Sequence, residues 1–305
     1  MNRRTFMGMA GTALLAAGQD AAARRAPSAY TPTTEQAAAD GIRVRFLGTG
    51  AADWNGRDER GELRRLSSIL IDGHVLIDFT QTAADMLPAD CHPDVIFYTH
   101  SHGDHYRPEA ALSLGSIRKV YLSQTWYDIA VSEFAAAARK LGVAMPKIIP
   151  VCIGQEVQVG NLCVHPLPAN HATGHILEQT LIYLVEKGTS RLLYATDTGG
   201  LMAVAARLAG IDAHAKGEPI TGLIMEATMG MEHEVDFRLY AHSSVATVER
   251  TAQVLAETKR YAPKTAGQPV FLTHMARTLH GTQAELDAQL PPSLRAAYDG
   301  LEVVF

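Results

Sequence analysis

The sequence predicts an α/β fold, a four-layer αββα sandwich in which two sheets stack face to face between outer layers of helices. Two observations support this prediction: the chain has two β-rich halves, and helix-forming segments separate or follow their strands. The 305 residues are 47% hydrophobic, which is sufficient for one large core, and no linker, repeat or low-complexity tract interrupts residues 41–305. We therefore expect a single domain over 41–305.

The predicted strands are short apolar runs rich in β-branched and aromatic residues, which is typical of buried strands. They cover residues 42–48, 68–78, 94–99, 119–123, 147–152, 157–159, 162–167, 180–186, 191–196, 222–228, 269–274 and 301–305. Their number and even spread along the chain favour two sheets over one.

Four helices are predicted between or after these strands, at about 124–141, 200–214, 243–259 and 282–298. The first is rich in alanine and ends at a glycine. In the third, Val245, Val248, Ala252 and Leu255 recur at helical spacing, which predicts one buried face.

The N-terminal segment has the layout of a signal peptide: paired arginines, a mildly apolar stretch and a run of alanines. The stretch Arg3-Arg4-Thr5-Phe6 resembles the twin-arginine type, so we expect residues 1–23 to engage that export machinery and 24–40 to form a disordered leader. The apolar part is too short for a permanent membrane span. The mature protein is then periplasmic or secreted; the alternative is an uncleaved N-terminal segment.

The net charge of −5 argues against a long nucleic acid as ligand, because such affinity depends on neutralising phosphates. Cys91, Cys152 and Cys163 are too few for a disulfide framework. We expect buried free thiols, and a bond between Cys152 and Cys163 is the alternative.

The densest group of ionisable residues is in the segment THSHGDH, directly after the apolar run 94–99. His100, His102, Asp104 and His105 are crowded at this strand end, and imidazoles and carboxylates are the usual ligands of zinc-like cations. The H-x-H-x-D-H spacing lets alternate side chains reach two neighbouring ion positions. It therefore predicts two metals.

Four residues cannot complete two sites, so further ligands are expected elsewhere. His171, Asp197 and His274 each follow an apolar strand, the position at which α/β folds collect their chemistry. Any one of them could equally be an ordinary loop residue.

The segments LGTGAADW, THSHGDH, NH, YATDTGG and LTH occur in the order seen in the metallo-β-lactamase superfamily, which the chain resembles over about 41–280. The resemblance implies one metal held by His100, His102 and His171, and another held by Asp104, His105 and His274, with Asp197 bridging. The oxygen-reducing diiron branch of the superfamily has a glutamate at the position of His102, so this sequence favours hydrolysis.

Two divalent cations would lower the pKa of a shared water and polarise the substrate oxygen under attack, with Asp104 and Asp197 orienting the water. Zinc is the expected metal, and manganese or iron also suits a mixed imidazole and carboxylate site.

The segment LIMEATMGMEHEVDFRLYAHSS resembles ribonuclease Z enzymes, in which a glutamate and a histidine form a proton-donating dyad. The resemblance assigns these roles to Glu226 and His242, although Met225 stands where that family has a histidine. His242 also precedes a predicted helix start, which suits phosphate.

The segment 170–201 resembles the phosphoribosyl 1,2-cyclic phosphate phosphodiesterases, and 171–197 is too short for the protruding arm with which ribonuclease Z grips tRNA. We therefore expect an exported hydrolase that cleaves a small phosphodiester, cyclic or linear, by attack of hydroxide generated at the metals. The alternatives are a hydrolase of another ester class (lactone, thioester, sulfate ester or β-lactam) and a non-catalytic metal-loaded binding protein. Nothing in the sequence indicates the oligomeric state.

Overall fold

The computed structural model describes residues 41–215 and 217–305, and within these ranges two seven-stranded sheets make up the centre of the protein. The first sheet has the spatial order β14 (Glu302–Val304), β1 (Arg43–Gly48), β2 (Ser68–Ile71), β3 (Val75–Ile77), β4 (Val95–Phe97), β5 (Lys119–Ser123), β6 (Lys147–Val151). Strands β3 to β6 are parallel, and the remaining neighbours pair antiparallel.

The second sheet has the spatial order β13 (Leu294–Ala296), β12 (Val270–Thr273), β11 (Gly222–Glu226), β10 (Ser190–Ala195), β9 (Leu181–Lys187), β8 (Leu162–Pro168), β7 (Val157–Val159). Strands β10 to β13 are parallel, whereas β7 to β10 form antiparallel pairs. In both sheets the parallel strands bring their carboxyl ends to a common edge.

Helices cover the outer face of each sheet. They are α1 (Pro108–Ser113), α2 (Tyr127–Leu141), α3 (Ala203–Leu208), α4 (Val245–Glu257) and α5 (Gln283–Gln289). Apolar residues of α1 and α2 pack against the first sheet, and those of α3, α4 and α5 pack against the second. A third apolar cluster fills the space between the sheets, where Phe46 and Phe271 face each other with ring centroids 6.1 Å apart. The predicted four layers are therefore present.

The strands are apolar on both faces because both faces are covered. Along β10, Leu192 and Tyr194 point into the cluster between the sheets, whereas Leu193 and Ala195 point toward the helices. This two-residue alternation between two apolar layers explains why the sequence shows continuous apolar runs in place of a polar and apolar alternation.

Two of the predicted helices are shorter than expected. The helix expected over 200–214 covers only Ala203–Leu208 and ends before Gly210, whose backbone is left-handed. The helix expected over 282–298 ends at Gln289, because Pro291 and Pro292 lack amide donors and restrict the residue before them. The following residues form strand β13 instead, and α1 was not predicted.

The third predicted helix is confirmed. Its buried residues are the four that the spacing indicated, and the Ser244 side chain accepts a hydrogen bond from the amide of Thr247 at its start.

The three cysteines are free, as expected, but the expectation that they are buried was wrong. Cys163 lies opposite Gln158 in the β7–β8 hairpin, and Cys152 is exposed. No helix of the described residues combines the length and apolar character that crossing a membrane requires. The predicted signal peptide (1–23) and leader (24–40) lie outside the described residues.

Replacing Gly222 by alanine is expected to destabilise the protein by about 1–3 kcal/mol through overpacking. A Cβ at this position would lie 2.2 Å from Cδ1 of Phe305, which is buried between the sheets. Urea unfolding measures the effect. Gly174→Ala is the matched control, because within the described residues no atom beyond its chain neighbours lies within 4 Å of its added Cβ; equal midpoints for the two variants would contradict the expectation.

Candidate metal centre

The predicted metal ligands converge at one edge of the sandwich, although they come from four segments of the chain. They follow the carboxyl ends of β4 (His100, His102, Asp104, His105), β8 (His171), β10 (Asp197) and β12 (His274). They form two groups, in each of which the donor atoms lie within 4.8 Å of one another. Because β4 belongs to the first sheet and the other three strands to the second, both sheets contribute ligands to this centre.

The first group, called cluster one, consists of His100, His102, His171 and Asp197. Nδ1 of His102 lies 3.0 Å from Nε2 of His100 and 3.2 Å from Nε2 of His171. Oδ2 of Asp197 lies 3.0 Å from Nε2 of His100 and 4.0 Å from Nε2 of His171. A tetrahedral zinc ion with bonds of ~2.1 Å holds its donor atoms ~3.4 Å apart, so the set has the dimensions of a metal site.

The second group, called cluster two, consists of Asp104, His105, Asp197 and His274. Nε2 of His105 and Nε2 of His274 are 3.3 Å apart, and Oδ2 of Asp104 is 3.2 Å from the former and 3.4 Å from the latter. Asp197 completes the group with Oδ2 at 2.9 Å from His105 and Oδ1 at 3.0 Å from His274. Oδ2 of Asp197 therefore contacts ligands of both clusters, as a bridging carboxylate would.

Hydrogen bonds on the outer ring nitrogens determine which nitrogen faces the centre. Nδ1 of His171 is 3.0 Å from the carbonyl oxygen of Ala241, and Nδ1 of His105 is 2.8 Å from Oδ2 of Asp78. Both partners accept, so each imidazole donates its Nδ1–H outward. The inner Nε2 is then the nitrogen that can exchange a proton for a metal ion.

His100 is oriented in the same way through Thr99. The Thr99 hydroxyl donates to Oδ2 of Asp78 at 2.8 Å, so its oxygen accepts the Nδ1–H of His100 at 2.9 Å. Asp78 also accepts the amide of Thr99 at 2.8 Å and is fully buried. Sequence reasoning missed Asp78, although a lone aspartate that directly follows an apolar strand, like Asp197, was a signal that could have identified it.

Two observations show that the centre suits a metal. Oδ1 of Asp197 is buried and lies 3.0 Å from Nε2 of His274, yet among the described residues no group donates a well-aligned hydrogen bond to it. Asp197 and His274 also have left-handed backbones, with φ of 46° and 51°, a conformation that non-glycine residues adopt at a cost and that concentrates at functional sites. A buried set of nitrogen and carboxylate oxygen donors fits zinc and related divalent cations.

The pKa values of the ligands follow from burial and from Asp197. Burial, reinforced by His105, lowers the pKa of His100 to about 4, and burial likewise lowers that of His171, so both are neutral ligands at pH 7. Burial also disfavours the charged form of His274, but the Asp197 carboxylate outweighs it and raises the pKa of His274 to about 10. A metal ion entering cluster two competes with this proton.

Glu226 and His242 lie beside cluster two, and the structure brings them together as the resemblance implied. Glu226 ends β11 and is fully buried, with Oε1 2.6 Å from the amide of Thr198 and 3.0 Å from Nδ1 of His242. Burial would lower the pKa of His242, but Glu226 outweighs it and raises the pKa. The ring of His242 stacks on that of His274 at 5.6 Å between centroids.

Thr228 connects this pair to the metal ligands and was also missed from the sequence. Its hydroxyl donates to Oε2 of Glu226 at 2.5 Å and accepts the Nδ1–H of His274 at 2.8 Å. One glutamate therefore orients both a ligand and the candidate proton donor.

Glu178 joins the two loops that supply cluster one. Oε1 accepts the amide of Ser101 at 2.8 Å, and Oε2 accepts the hydroxyls of Ser101 and Thr173 at 2.5 and 2.7 Å. Ser101 lies between two ligands of cluster one, and Thr173 lies two residues after His171. No sequence signal indicated this residue, because its role depends on a contact between distant loops.

Replacing Glu178 by glutamine is expected to weaken zinc binding at cluster one by about 10–100-fold, the range typical for residues that orient ligands. Calorimetric zinc titration measures it, and the cobalt spectrum reports the geometry of the site. Gln179→Ala is the neighbouring control, because in the part of the chain that the structure describes its side-chain amide binds only the carbonyl of Thr180. Unchanged zinc affinity in Glu178→Gln would contradict the expectation.

Residues 68–275, which include all seven candidate ligands, match the family model of the beta-lactamase superfamily domain. No curated protein sequence matches the chain.

Solved structures of the same architecture align with most of the chain. The metallo-beta-lactamase fold protein YhfI from Bacillus subtilis is 15% identical with a TM-score of 0.59, and covers 87% of this chain and 100% of its own. The short form of human tRNase Z is 16% identical with a TM-score of 0.59 (86% and 98% coverage). Zn²⁺-bound PqqB from Methylobacterium extorquens is 15% identical with a TM-score of 0.58 (86% and 99% coverage). These likenesses show a shared fold, so the predicted four-layer sandwich is confirmed.

Proposed function

The chain belongs to the beta-lactamase superfamily of metal-dependent hydrolases, and from this premise we propose that its substrate is a small phosphodiester. The observation that carries the proposal is the contact between Glu226 and His242 beside the two ligand clusters. The segment that carries this pair resembles ribonuclease Z enzymes, in which such a dyad donates a proton during phosphodiester cleavage. Cleavage of a phosphodiester expels an alkoxide, which must be protonated.

The metals would be held by the seven ligands of the two clusters, with Asp197 common to both. Bound there, two divalent cations supply a hydroxide at neutral pH and neutralise charge on the phosphate. The hydrogen-bonded outer nitrogens of His100, His105 and His171 hold the ligand set rigid, so little reorganisation accompanies the reaction. Asp104, in cluster two, orients the attacking water.

His242 is placed to deliver the proton. Its Nδ1–H is donated to Glu226, so the proton that it can release is on Nε2. As the phosphorus–oxygen bond breaks, this proton passes to the leaving oxygen, and the negative charge of Glu226 stabilises the protonated ring until transfer. The side chain of His242 is 17% exposed, so substrate can reach it.

The short segment between His171 and Asp197 supports a small substrate. Strands β9 and β10 occupy 13 of its 25 residues and are joined by the two residues Gly188 and Thr189. This hairpin leaves no length for a protruding arm that could hold a large RNA. The acidic net charge favours the same conclusion.

The proposal is tested by the bond that the zinc-loaded full chain hydrolyses. We expect turnover of bis(p-nitrophenyl) phosphate and of cyclic nucleotides, lost on chelation and restored by zinc, with little turnover of lactone, thioester, sulfate ester and β-lactam substrates. Turnover of another ester without any phosphodiester would overturn the proposal. Metal binding without any turnover would indicate a binding protein.

We also propose that the protein is exported by the twin-arginine machinery and acts in the periplasm or outside the cell. The support is the sequence Arg3-Arg4-Thr5-Phe6 with the alanine run that ends at Ala23. Replacing both arginines by lysine should keep the full-length chain in the cytoplasm, as cell fractionation would detect. Export that persists in this variant would exclude the twin-arginine route.

A further inference from the structure

A groove of about 760 Å³ opens beside cluster one, a volume within the usual range of small-molecule sites. Its walls include His102 and Gly103 of the metal-binding loop, Tyr106 and Trp126, and the cations Arg107 and Lys140. Because His102 is both a candidate metal ligand and a wall of this groove, a substituent of a phosphodiester bound at the metals has room to extend into it.

Arg107 is exposed, and it is the cation of this groove that no described protein group pairs. Among the described residues its guanidinium has no hydrogen-bond or ion-pair partner, although the side chain lies next to the metal-binding loop. Lys140, in contrast, is paired with Glu109 at 2.8 Å. A planar guanidinium with free N–H groups is suited to bidentate binding of a phosphate or carboxylate.

Gly103 makes room for this guanidinium. A Cβ at Gly103 would lie 2.5 Å from Nη2 and 2.9 Å from Cζ of Arg107. The backbone of Gly103 is not left-handed, so its conformation does not require glycine. The missing side chain instead allows the guanidinium to lie against the loop between His102 of cluster one and Asp104 of cluster two.

The other charges of the groove do not neutralise Arg107. Glu109 is paired with Lys140, and Glu133 forms no ion pair with Arg107 within the described residues. An anion that enters the groove therefore meets one unpaired cation close to the metals.

We propose that Arg107 is a specificity-determining residue that binds a second anionic group, a phosphate or carboxylate, on the substituent of the substrate that occupies this groove. The inference rests on the proposed phosphodiesterase function and narrows it, since the substrate becomes a phosphodiester with an additional anionic group.

The test uses two substrates that differ only in that group: p-nitrophenyl propyl phosphate, and the same ester with a phosphate on the third propyl carbon. The zinc-loaded full chain releases p-nitrophenol from both, and the ratio of their kcat/KM values measures specificity. We expect the wild type to favour the phosphorylated ester by about tenfold, and the preference to shrink at high salt.

Arg107→Gln should bring this ratio to about one. Arg107→Lys should keep part of the wild-type preference, because lysine retains the charge but cannot make two parallel hydrogen bonds to one anionic group. Gly103→Ala should also lower it, because the added Cβ displaces the guanidinium without removing its charge. The double variant Lys140→Gln with Glu109→Gln, which removes both partners of an ion pair from the same groove and leaves its net charge unchanged, should retain the wild-type ratio.

A ratio that is equal in the wild type and in Arg107→Gln overturns this inference and leaves the phosphodiesterase function intact. If neither ester is hydrolysed, the proposed function fails, and the inference fails with it. A second readout is independent of turnover: 1,3-propanediol bisphosphate should bind the zinc-loaded protein about tenfold more tightly than propyl phosphate in calorimetry. Arg107→Gln should remove this difference.

Discussion

Asp197→Ala is expected to lose most of its bound metal and to reduce hydrolysis by at least ~100-fold, since a ligand contributes more than the residues that orient ligands. Oδ2 of Asp197 contacts His100 of cluster one and His105 of cluster two at 3.0 and 2.9 Å, and Oδ1 contacts His274 at 3.0 Å. A single truncation therefore removes a donor from both metal positions. It also removes the buried negative charge that offsets the repulsion between two cations.

Metal content after equilibrium dialysis, measured by mass spectrometry, checks this expectation, and circular dichroism confirms that the variant is folded. Asp212→Asn, which removes a carboxylate 3.9 Å from Arg207 and away from the centre, should retain full metal content. Two bound metals per chain in Asp197→Ala would exclude a bridging role.

His242→Ala is expected to slow hydrolysis most when the leaving group is basic. General acid catalysis contributes about 10²–10⁴-fold, but only where the leaving oxygen needs a proton. For methyl aryl phosphates we expect a loss of at least ~100-fold with phenol and under ~10-fold with p-nitrophenol as leaving group. The dependence of kcat/KM on leaving-group pKa measures this difference.

Glu226→Gln should lower kcat/KM with the same dependence on leaving-group pKa, and should also lower it for every leaving group. The amide oxygen can still accept from His242, but the charge that stabilises the protonated ring is lost, and the amide NH2 cannot accept the Thr228 hydroxyl as Oε2 does. His165→Ala is the matched control, since His165 pairs with Glu186 at 3.2 Å in the β8–β9 ladder. An equal loss for all leaving groups in His242→Ala would show that this histidine supports the site without donating a proton.

The sequence predicted the layers and the ligands because both leave local signals. Strands buried on two faces read as apolar runs, and the buried face of α4 shows as Val245, Val248, Ala252 and Leu255 at helical spacing. The candidate ligands are polar residues directly after such runs, where parallel strands end at a shared edge.

The missed features depend on contacts between distant segments. Thr228 and Glu178 gain their roles only when loops that are far apart in the sequence meet at the centre. The error over 290–298 had a different origin: the predicted helix was extended past Pro291, although proline restricts the backbone of the residue before it.

The two sheets share the centre, because His100, His102 and His105 follow a strand of one sheet and His171, Asp197 and His274 follow strands of the other. A bound ion is then a cross-link between the halves of the sandwich, absent from the unfolded chain. For each occupied position, a tenfold rise in free metal above the dissociation constant adds about 1.4 kcal/mol to the free energy of unfolding. The melting temperature should therefore rise with the free metal concentration. An environment poor in metal would lower both the stability of the fold and the catalytic activity.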